Sequence, residues 1–266
     1  HILMIGMIVT FILTFFLLEH PFSFLPSDQG RAFAVNGSLS KGKLRGVGFI
    51  FVLCFLISSV LFLPLDVEYV IYGILLFAMM ISGYLDDASK TPWNEYKKGL
   101  IDLVISVVAV LTYMNFNSTT ICFGADEIVI PKALFLILGV ILIWVSVNVT
   151  NCTDGVDGLC ASLCSVTLLA FGVLFASVLQ KYAMANFLFL SVLFAYLYFN
   201  SSPSSMLMGD AGSRALGFYI AVIALKSTHP FIYILLAAVM IVDGGIGLVK
   251  IALKRFLKIS ILKKTR

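Results

Sequence analysis

The sequence predicts an all-α polytopic integral membrane protein, and three observations support this prediction. Of the 266 residues, 61% are hydrophobic and only 12% are charged, whereas a soluble domain carries about 25% charged residues. The mean hydropathy is +1.06. The apolar residues also fall into runs of roughly 20, the length that crosses a bilayer as a helix. The bilayer must therefore cover most of this chain.

We expect nine membrane spans joined by mostly short connectors, in a single transmembrane domain over residues 1–266. The predicted spans are residues 2–18, 46–64, 69–85, 99–115, 132–150, 159–179, 183–199, 214–227 and 229–249. The first span lacks a basic leader and a small-residue cleavage site, so we expect a retained helix. The odd span count leads us to expect a tenth helix, beyond Arg266.

Lys and Arg set the predicted orientation, because cytoplasmic loops are enriched in basic residues. Of the 18 basic residues, all but Lys132, Lys181 and Lys226 fall on one side of the nine-span arrangement. We expect that side to be cytoplasmic and the N-terminus to lie outside.

Three segments should depart from plain apolar helices. Residues 116–131 alternate around Gly124, which predicts a short β-hairpin on the outer side. Residues 243–247 contain three glycines, which predict a bend in the ninth span. Residues 250–266 mix basic and apolar side chains, as amphipathic segments at the inner membrane surface do.

Three polar segments interrupt the apolar spans, and all fall on the basic side. They cover residues 83–90, 148–159 and 208–213. They hold five of the 14 acids, namely Asp86, Asp87, Asp154, Asp157 and Asp210. Acids near a membrane are costly and usually functional. Each segment alone could be a helix cap or a solvated loop, but together they indicate Mg²⁺-assisted phosphoryl chemistry on a nucleotide.

Residue types within these segments suggest separate tasks. Asp86 and Asp87 are adjacent, so on a helix their side chains do not face each other. Lys90 could neutralise this pair or bind a phosphate as a point charge. Asp210 is a suitable Mg²⁺ ligand, and the glycine turn around it, before the eighth span, offers backbone N–H groups to an anion.

These motifs resemble those of the polyprenyl-phosphate N-acetylhexosamine-1-phosphate transferases. The resemblance runs from Lys41 to Arg266 and rests on the Asp86-Asp87 pair, the segment Asn148–Leu159 and the segment Met208–Ser213, in that order. Two details resemble the phospho-N-acetylmuramoyl-pentapeptide transferase branch. Lys90 follows the acidic pair at the spacing of that branch, and residues 256–266 are basic.

The resemblance implies a reaction and its partners. Phospho-MurNAc-pentapeptide would pass from UDP-MurNAc-pentapeptide to undecaprenyl phosphate, giving lipid I and UMP with Mg²⁺ as cofactor. The enzyme would sit in the bacterial cytoplasmic membrane with its active site on the cytoplasmic side. A homodimer is a further expectation, and no nucleic-acid partner is expected.

The resemblance also implies residue roles. The catalytic residues would be Asp86, Asp87 and Asp210, with Asp210 and Asp86 holding the metal. One acid of the pair would deprotonate the lipid phosphate, or an aspartate would attack first and form a phospho-enzyme. The substrate-binding residues would be Lys41, Lys90, Asn148, Asn151, Asp154, Asp157, Gly158, Asn200, Leu207 and Gly209.

Two departures from the family pattern accompany the resemblance. Residues 42–48 read Gly-Lys-Leu-Arg-Gly-Val-Gly, where the family has a Gly-Thr-Pro-Thr-Met-Gly-Gly-like segment. Leu207 stands where an aromatic residue commonly precedes the Met-Gly-Asp motif. One alternative is a sister enzyme that transfers GlcNAc-1-phosphate to a polyprenyl phosphate. Another is a secondary transporter, although transporters place acidic ion sites near the bilayer midplane.

Overall fold

The computed structural model describes residues 1–20, 22–30, 40–124 and 126–253. Its helices are α1 (Ile2–Glu19), α2 (Gly48–Phe62), α3 (Val67–Asp87), α4 (Glu95–Phe116), α5 (Lys132–Thr153), α6 (Leu159–Leu174), α7 (Gln180–Asn200), α8 (Gly209–Lys226), α9 (Pro230–Leu236) and α10 (Ala238–Ala252). Two strands, β1 (Thr120–Phe123) and β2 (Asp126–Val129), lie between α4 and α5. Residues 254–266, most of the predicted amphipathic tail, lie outside the described residues.

The helical membrane architecture is confirmed, while the count of nine spans stays a prediction. Within the described ranges, α1, α3, α4, α5 and α7 are long and apolar enough to cross a bilayer. The bent pair α9 and α10 would make a sixth span. Helices α2 and α6 are apolar but have only 15 and 16 residues.

The predicted β-hairpin is confirmed, while its place on the outer side stays a prediction. β1 and β2 pair antiparallel, and Phe123 lies opposite Asp126 across the turn. Gly124 in this turn has φ +63°, a left-handed conformation that glycine adopts without steric cost. The Cys122 backbone N–H also donates to the Thr228 carbonyl oxygen at 2.8 Å, which fixes the hairpin against the end of α8.

Helix α8 lies at the centre of the bundle, as shown by the burial of all of its residues. It packs mainly against α3 and α5, and also against α2. Glycines permit these close approaches. A Cβ on Gly48 would lie 2.1 Å from the Gly212 nitrogen, and a Cβ on Gly217 would lie 2.6 Å from the Ser146 carbonyl oxygen. Small residues at helix contacts let backbones approach closely in membranes.

The predicted bend at residues 243–247 is wrong in its position. The chain bends by 82° between α9 and α10, at Ala237, and α10 continues through the glycines without a break. Gly244 instead serves packing, since a Cβ there would lie 2.1 Å from the Val149 carbonyl oxygen on α5. Neighbour contacts therefore override the weak helix propensity of glycine.

A second polar cluster ties the helices together at the end of the bundle opposite the three polar segments. Lys226 Nζ lies 2.9 and 3.0 Å from the two Glu68 carboxylate oxygens and 2.7 Å from Asn117 Oδ1. Tyr72 and Asn117 also donate to Glu68 Oε1. These residues join α3, α4 and α8, so the bundle is clamped at this end.

Candidate active site

The ends of α3 and α8 bring Asp86, Asp87 and Asp210 together, as the sequence predicted. The helices can touch here because Gly83, one turn before Asp87, lies against the backbone of Asp210. The three carboxylates are linked through two cations, Arg45 and Lys98. The acidic pair and the Met-Gly-Asp motif therefore form one site, although they are more than 120 residues apart in sequence.

Asp86 faces the start of α4. Its Oδ1 accepts a 2.7 Å hydrogen bond from the Trp93 backbone N–H, and its Oδ2 pairs with Lys98 Nζ. Trp93 is fixed in turn by Lys97, whose Nζ lies 3.3 Å from the centre of the indole ring. The α3–α4 connector thus folds back onto the carboxylate of Asp86.

Asp87 faces the other way, as expected for neighbours on a helix. Its Oδ1 accepts from Arg45 Nε at 2.8 Å, and its Oδ2 accepts from the Ala211 backbone N–H at 3.1 Å. The predicted anion position at the start of α8 is therefore occupied by the Asp87 carboxylate. Gly209 makes this possible, because a Cβ there would lie 2.3 Å from Asp87 Oδ2.

Asp210 lies in the first turn of α8, so the prediction that the helix begins at residue 214, after the motif, is wrong. The helix begins at Gly209, because Asp87 supplies an acceptor to its free backbone N–H groups. Asp210 Oδ2 accepts from Lys98 Nζ at 3.0 Å, and Oδ1 lies 3.5 Å from Arg45 Nη2. Asp210 is thus held between two cations.

Arg45 is held over the site by an extended segment. The Leu44 carbonyl accepts from the Leu207 N–H at 2.8 Å, and the Arg45 N–H donates to the Pro26 carbonyl at 2.8 Å. Arg45 Nη1 also contacts Asp28 Oδ1 at 3.1 Å. Burial disfavours the charged guanidinium, but the Asp87 and Asp210 carboxylates outweigh it and raise the pKa of Arg45.

A further ion pair lies one helical turn deeper. Arg214 on α8 pairs with Asp102 on α4, and both side chains are buried. Lys98 and Asp102 lie four residues apart on α4, as do Asp210 and Arg214 on α8. The two helices therefore face each other through two ion pairs of opposite polarity, which holds Lys98 beside Asp210.

The second predicted segment forms a separate polar group beside the start of α6. Gly158, with φ +76°, donates its N–H to Asn200 Oδ1 at 3.0 Å. Asp157 Oδ2 accepts from the Ser204 N–H at 3.0 Å and lies 3.8 Å from Lys43 Nζ. Lys43 precedes Arg45 by two residues, so this group and the three acids meet along one segment.

The remaining predicted residues have varied surroundings. Asn151 Nδ2 donates to Ser213 Oγ at 2.9 Å, which connects α5 to the first turns of α8. Asn148 donates to the Trp144 carbonyl on its own helix. The last four predicted residues are Asp154 at the C-cap of α5, exposed Lys41 and Lys90, and buried Leu207, which is 3% exposed. Their substrate-binding roles stay predictions.

Three residues in this site were missed by sequence reasoning. No role in the site was predicted for Lys98, which was counted only among the basic residues. Asp28 belongs to none of the motifs. Arg45 was visible as a departure from the family segment at residues 42–48. Asp28 gave no sequence signal, because it lies in a connector far along the chain from every polar segment and contacts the site through Arg45.

The donor set fits a divalent cation. Asp86 and Asp210 direct carboxylate oxygens at one cation, Lys98 Nζ, so their oxygens converge where a positive charge belongs. Across the described residues, no three His, Cys, Asp or Glu side chains are arranged as a metal site. Mg²⁺ needs only one or two carboxylates and completes its shell with water and phosphate, so this pair suffices.

Comparison with known proteins identifies the family. The family model described as glycosyl transferase family 4 matches residues 69–228, which include all three catalytic aspartates predicted above. A phospho-N-acetylmuramoyl-pentapeptide-transferase of Treponema pallidum subsp. pallidum is 36% identical over 98% of this chain and 78% of its own length.

Two further relatives carry the same name. The protein from Halalkalibacterium halodurans is 28% identical over 91% of this chain and 80% of its own length. The protein from Wolinella succinogenes is 29% identical over 79% of this chain and 68% of its own length. With the family model covering more than half of the sequence and the Treponema relative matching nearly all of it, the chain belongs to glycosyl transferase family 4.

Proposed function

We propose that this protein transfers phospho-MurNAc-pentapeptide from UDP-MurNAc-pentapeptide to undecaprenyl phosphate, forming lipid I and UMP in peptidoglycan synthesis. The observation that carries the proposal is the convergence of Asp86, Asp87 and Asp210 from separate motifs at one end of the bundle. The names of the relatives support the transferred group, phospho-N-acetylmuramoyl-pentapeptide.

The reaction replaces one phosphoanhydride bond by another. An oxygen of the lipid phosphate attacks the phosphorus that carries the sugar. The bond from this phosphorus to the oxygen shared with the uridine phosphate then breaks, and UMP leaves with that electron pair. Catalysis of such a step consists mainly of positioning the reactants and stabilising negative charge. Arg45, Lys98 and the acids provide a fixed set of charges for this purpose.

Asp86 and Asp210 are the residues that would hold Mg²⁺. Bound there, the metal would supply positive charge to the diphosphate of the donor. The charge balance supports this assignment, because among the described residues the carboxylates of Asp86, Asp87 and Asp210 form ion pairs with two cations, Arg45 and Lys98. A buried site with excess acid gains stability from an added cation.

Of the two catalytic schemes, the contacts of Asp87 support direct attack by the lipid phosphate. Both carboxylate oxygens of Asp87 already accept hydrogen bonds, and its side chain has no exposed surface. A nucleophilic carboxylate needs a free oxygen within reach of phosphorus. Both oxygens of Asp86 are likewise engaged, by the Trp93 N–H and by Lys98 Nζ, so neither acid of the pair presents a free nucleophilic oxygen.

The nucleotide and sugar would bind beside Asp157 and Asn200. Asn200 fixes the left-handed turn at Gly158, and Asp157 joins this turn to Ser204 and Lys43. Amide and carboxylate groups of this kind can form hydrogen bonds with sugar hydroxyls and with the edges of nucleotide bases. We assign the site to the cytoplasmic face of the bacterial cytoplasmic membrane, from the distribution of Lys and Arg. A homodimer stays a prediction.

The test is UMP release by the natural full-length protein in detergent, with undecaprenyl phosphate and Mg²⁺. We expect release with UDP-MurNAc-pentapeptide and none with UDP-GlcNAc. Release with UDP-GlcNAc alone would move the protein to the sister GlcNAc-1-phosphate transferases. Omitting undecaprenyl phosphate separates transfer from hydrolysis, because direct attack predicts no UMP without the acceptor.

A further inference from the structure

Arg45 stands at the meeting point of the acids in this site. Its Nε contacts Asp87, its Nη1 contacts Asp28 and its Nη2 faces Asp210. The residue belongs to the segment 42–48, which differs from the threonine- and proline-containing segment of the family that the sequence resembles. A role for an arginine here therefore comes from this chain's own contacts.

The guanidinium can donate more hydrogen bonds than these three contacts use. Arginine carries five N–H donors in a planar fork, and one donor goes to each of the three carboxylates, which leaves two. Its side chain is 28% exposed, whereas those of Asp28 and Asp87 are fully buried. Among the described residues, Arg45 therefore has two donors without a partner and an exposed side, next to Asp210, one of the two carboxylates proposed to hold the metal.

Asp28 fixes the direction of this fork. Its Oδ1 accepts from Arg45 Nη1 at 3.1 Å, and its Oδ2 accepts from the Ser40 hydroxyl and from the Gly30 N–H at 3.2 Å. The backbone of Asp28 is held too, because its N–H donates to the Lys43 carbonyl at 2.8 Å. A buried carboxylate held at several points is a rigid support.

We propose that Arg45 binds the diphosphate group of the nucleotide substrate, and that Asp28 is the positioning residue that aims it. The inference rests on the proposed function and deepens it by naming the residue that recognises the second phosphate. An arginine fork matches the geometry of phosphate oxygens and can donate two parallel hydrogen bonds to them. A lysine ammonium cannot reproduce this geometry.

The experiment measures the dissociation constants of UDP and UMP by calorimetry at fixed Mg²⁺, for the natural full-length protein and its variants. The ratio of the two constants reports what the second phosphate contributes. We expect the preference for UDP to fall about 10- to 100-fold in Arg45→Gln, as for lost hydrogen bonds to a charged group. Arg45→Lys should recover part of it.

Asp28→Asn tests the positioning role, because it leaves the arginine in place. We expect a smaller UDP preference with an unchanged UMP affinity. Lys132→Gln is the control, since Lys132 is an exposed cation at the start of α5, and it should leave both constants unchanged. A purely structural role for Arg45 would weaken UMP and UDP equally.

An unchanged UDP preference in folded Arg45→Gln, or an equal loss for both nucleotides, would overturn the proposal. If Arg45→Gln does not fold, Asp28→Asn decides, and an unchanged preference there has the same meaning. A wild-type protein that prefers UDP but releases UMP only from UDP-GlcNAc would refute the proposed donor and leave Arg45 in place. A wild-type protein that releases UMP from UDP-MurNAc-pentapeptide but shows no UDP preference would refute the role of Arg45 and leave the proposed function in place.

Discussion

Gly83 on α3 lies directly against the backbone of Asp210 on α8, where an added Cβ would come within 2.4 Å of the Asp210 carbonyl oxygen. This contact sets how closely the acidic pair approaches the third aspartate, because Asp87 follows Gly83 by one helical turn. The spacing of the three carboxylates therefore depends on the absence of one side chain.

Gly83→Ala should accordingly separate α3 from α8 and abolish most UMP release, with a loss of about 1–3 kcal/mol in stability from overpacking. Gly73→Ala is the matched control on the same helix, because its Cβ would meet only Leu56, at 3.8 Å. The control should be neutral or slightly stabilising, since alanine favours helix more than glycine. The melting temperature and the turnover of both variants test this prediction. If Gly83→Ala and Gly73→Ala had the same melting temperature and turnover, the close contact at Gly83 would be refuted.

Asp210→Asn should abolish turnover and weaken Mg²⁺ binding. The carboxylate faces both Lys98 and Arg45, and an amide cannot bind a divalent cation with the same strength. Calorimetric titration of Mg²⁺ measures the metal affinity separately from activity. Asp126→Asn, which changes an exposed acid on the β1–β2 hairpin, serves as control. A Mg²⁺ affinity equal to that of the natural protein would remove Asp210 from the metal site.

Asp87→Asn should lower kcat by about 10²- to 10⁴-fold, in the range expected for losing a group that supports proton transfer or charge positioning. The amide can still accept from the Ala211 N–H, so the start of α8 should remain folded. Steady-state kinetics together with a melting curve distinguish a catalytic role of Asp87 from a purely structural role in capping α8. Nearly normal turnover in a folded variant would mean that Asp87 only caps α8.

Gly244→Ala should disturb the packing of α10 on α5, because a Cβ there would lie 2.1 Å from the Val149 carbonyl oxygen. The neighbouring Gly245 has nothing within 4 Å of such a Cβ, so Gly245→Ala is a control one residue away. We expect a melting temperature lower by several degrees for the first variant only. If Gly245→Ala were the damaging change, the glycines would act through flexibility and not through packing.

Lys226→Met should destabilise the protein by about 3–5 kcal/mol, because it leaves Glu68 buried without its cation. The double variant Lys226→Met with Glu68→Gln should recover part of this loss, since no isolated charge then remains. Unfolding in detergent measures both variants. Equal stability of the single variant and the natural protein would show that Tyr72 and Asn117 alone satisfy the Glu68 carboxylate.

The sequence allowed the class of fold, the hairpin and the convergence of Asp86, Asp87 and Asp210 to be predicted. Apolar runs indicate which segments cross the bilayer, and basic connectors indicate which side each helix end faces. Acids at helix ends on one side can then be grouped without knowing how the helices pack. This reasoning needs only topology, which the membrane restricts strongly.

The parts that could not be predicted depend on packing. The glycines at 243–247 indicated a bend, whereas α10 remains helical there because Gly244 fits against α5. Arg45 and Asp28 reach the site through a connector whose path follows from backbone pairing with residues 206–208 and 26–28. Neither relationship has a periodicity or a spacing that a single sequence displays.

The complete burial of α8 has a consequence for biogenesis. This helix carries Asp210, Arg214 and Lys226, and charged residues make a segment a poor substrate for insertion into lipid. Inside the bundle each of these charges meets a partner on α3 or α4. We therefore expect the helix that carries the third acid to enter the membrane by docking onto helices already inserted, so that the active site forms during the same assembly step.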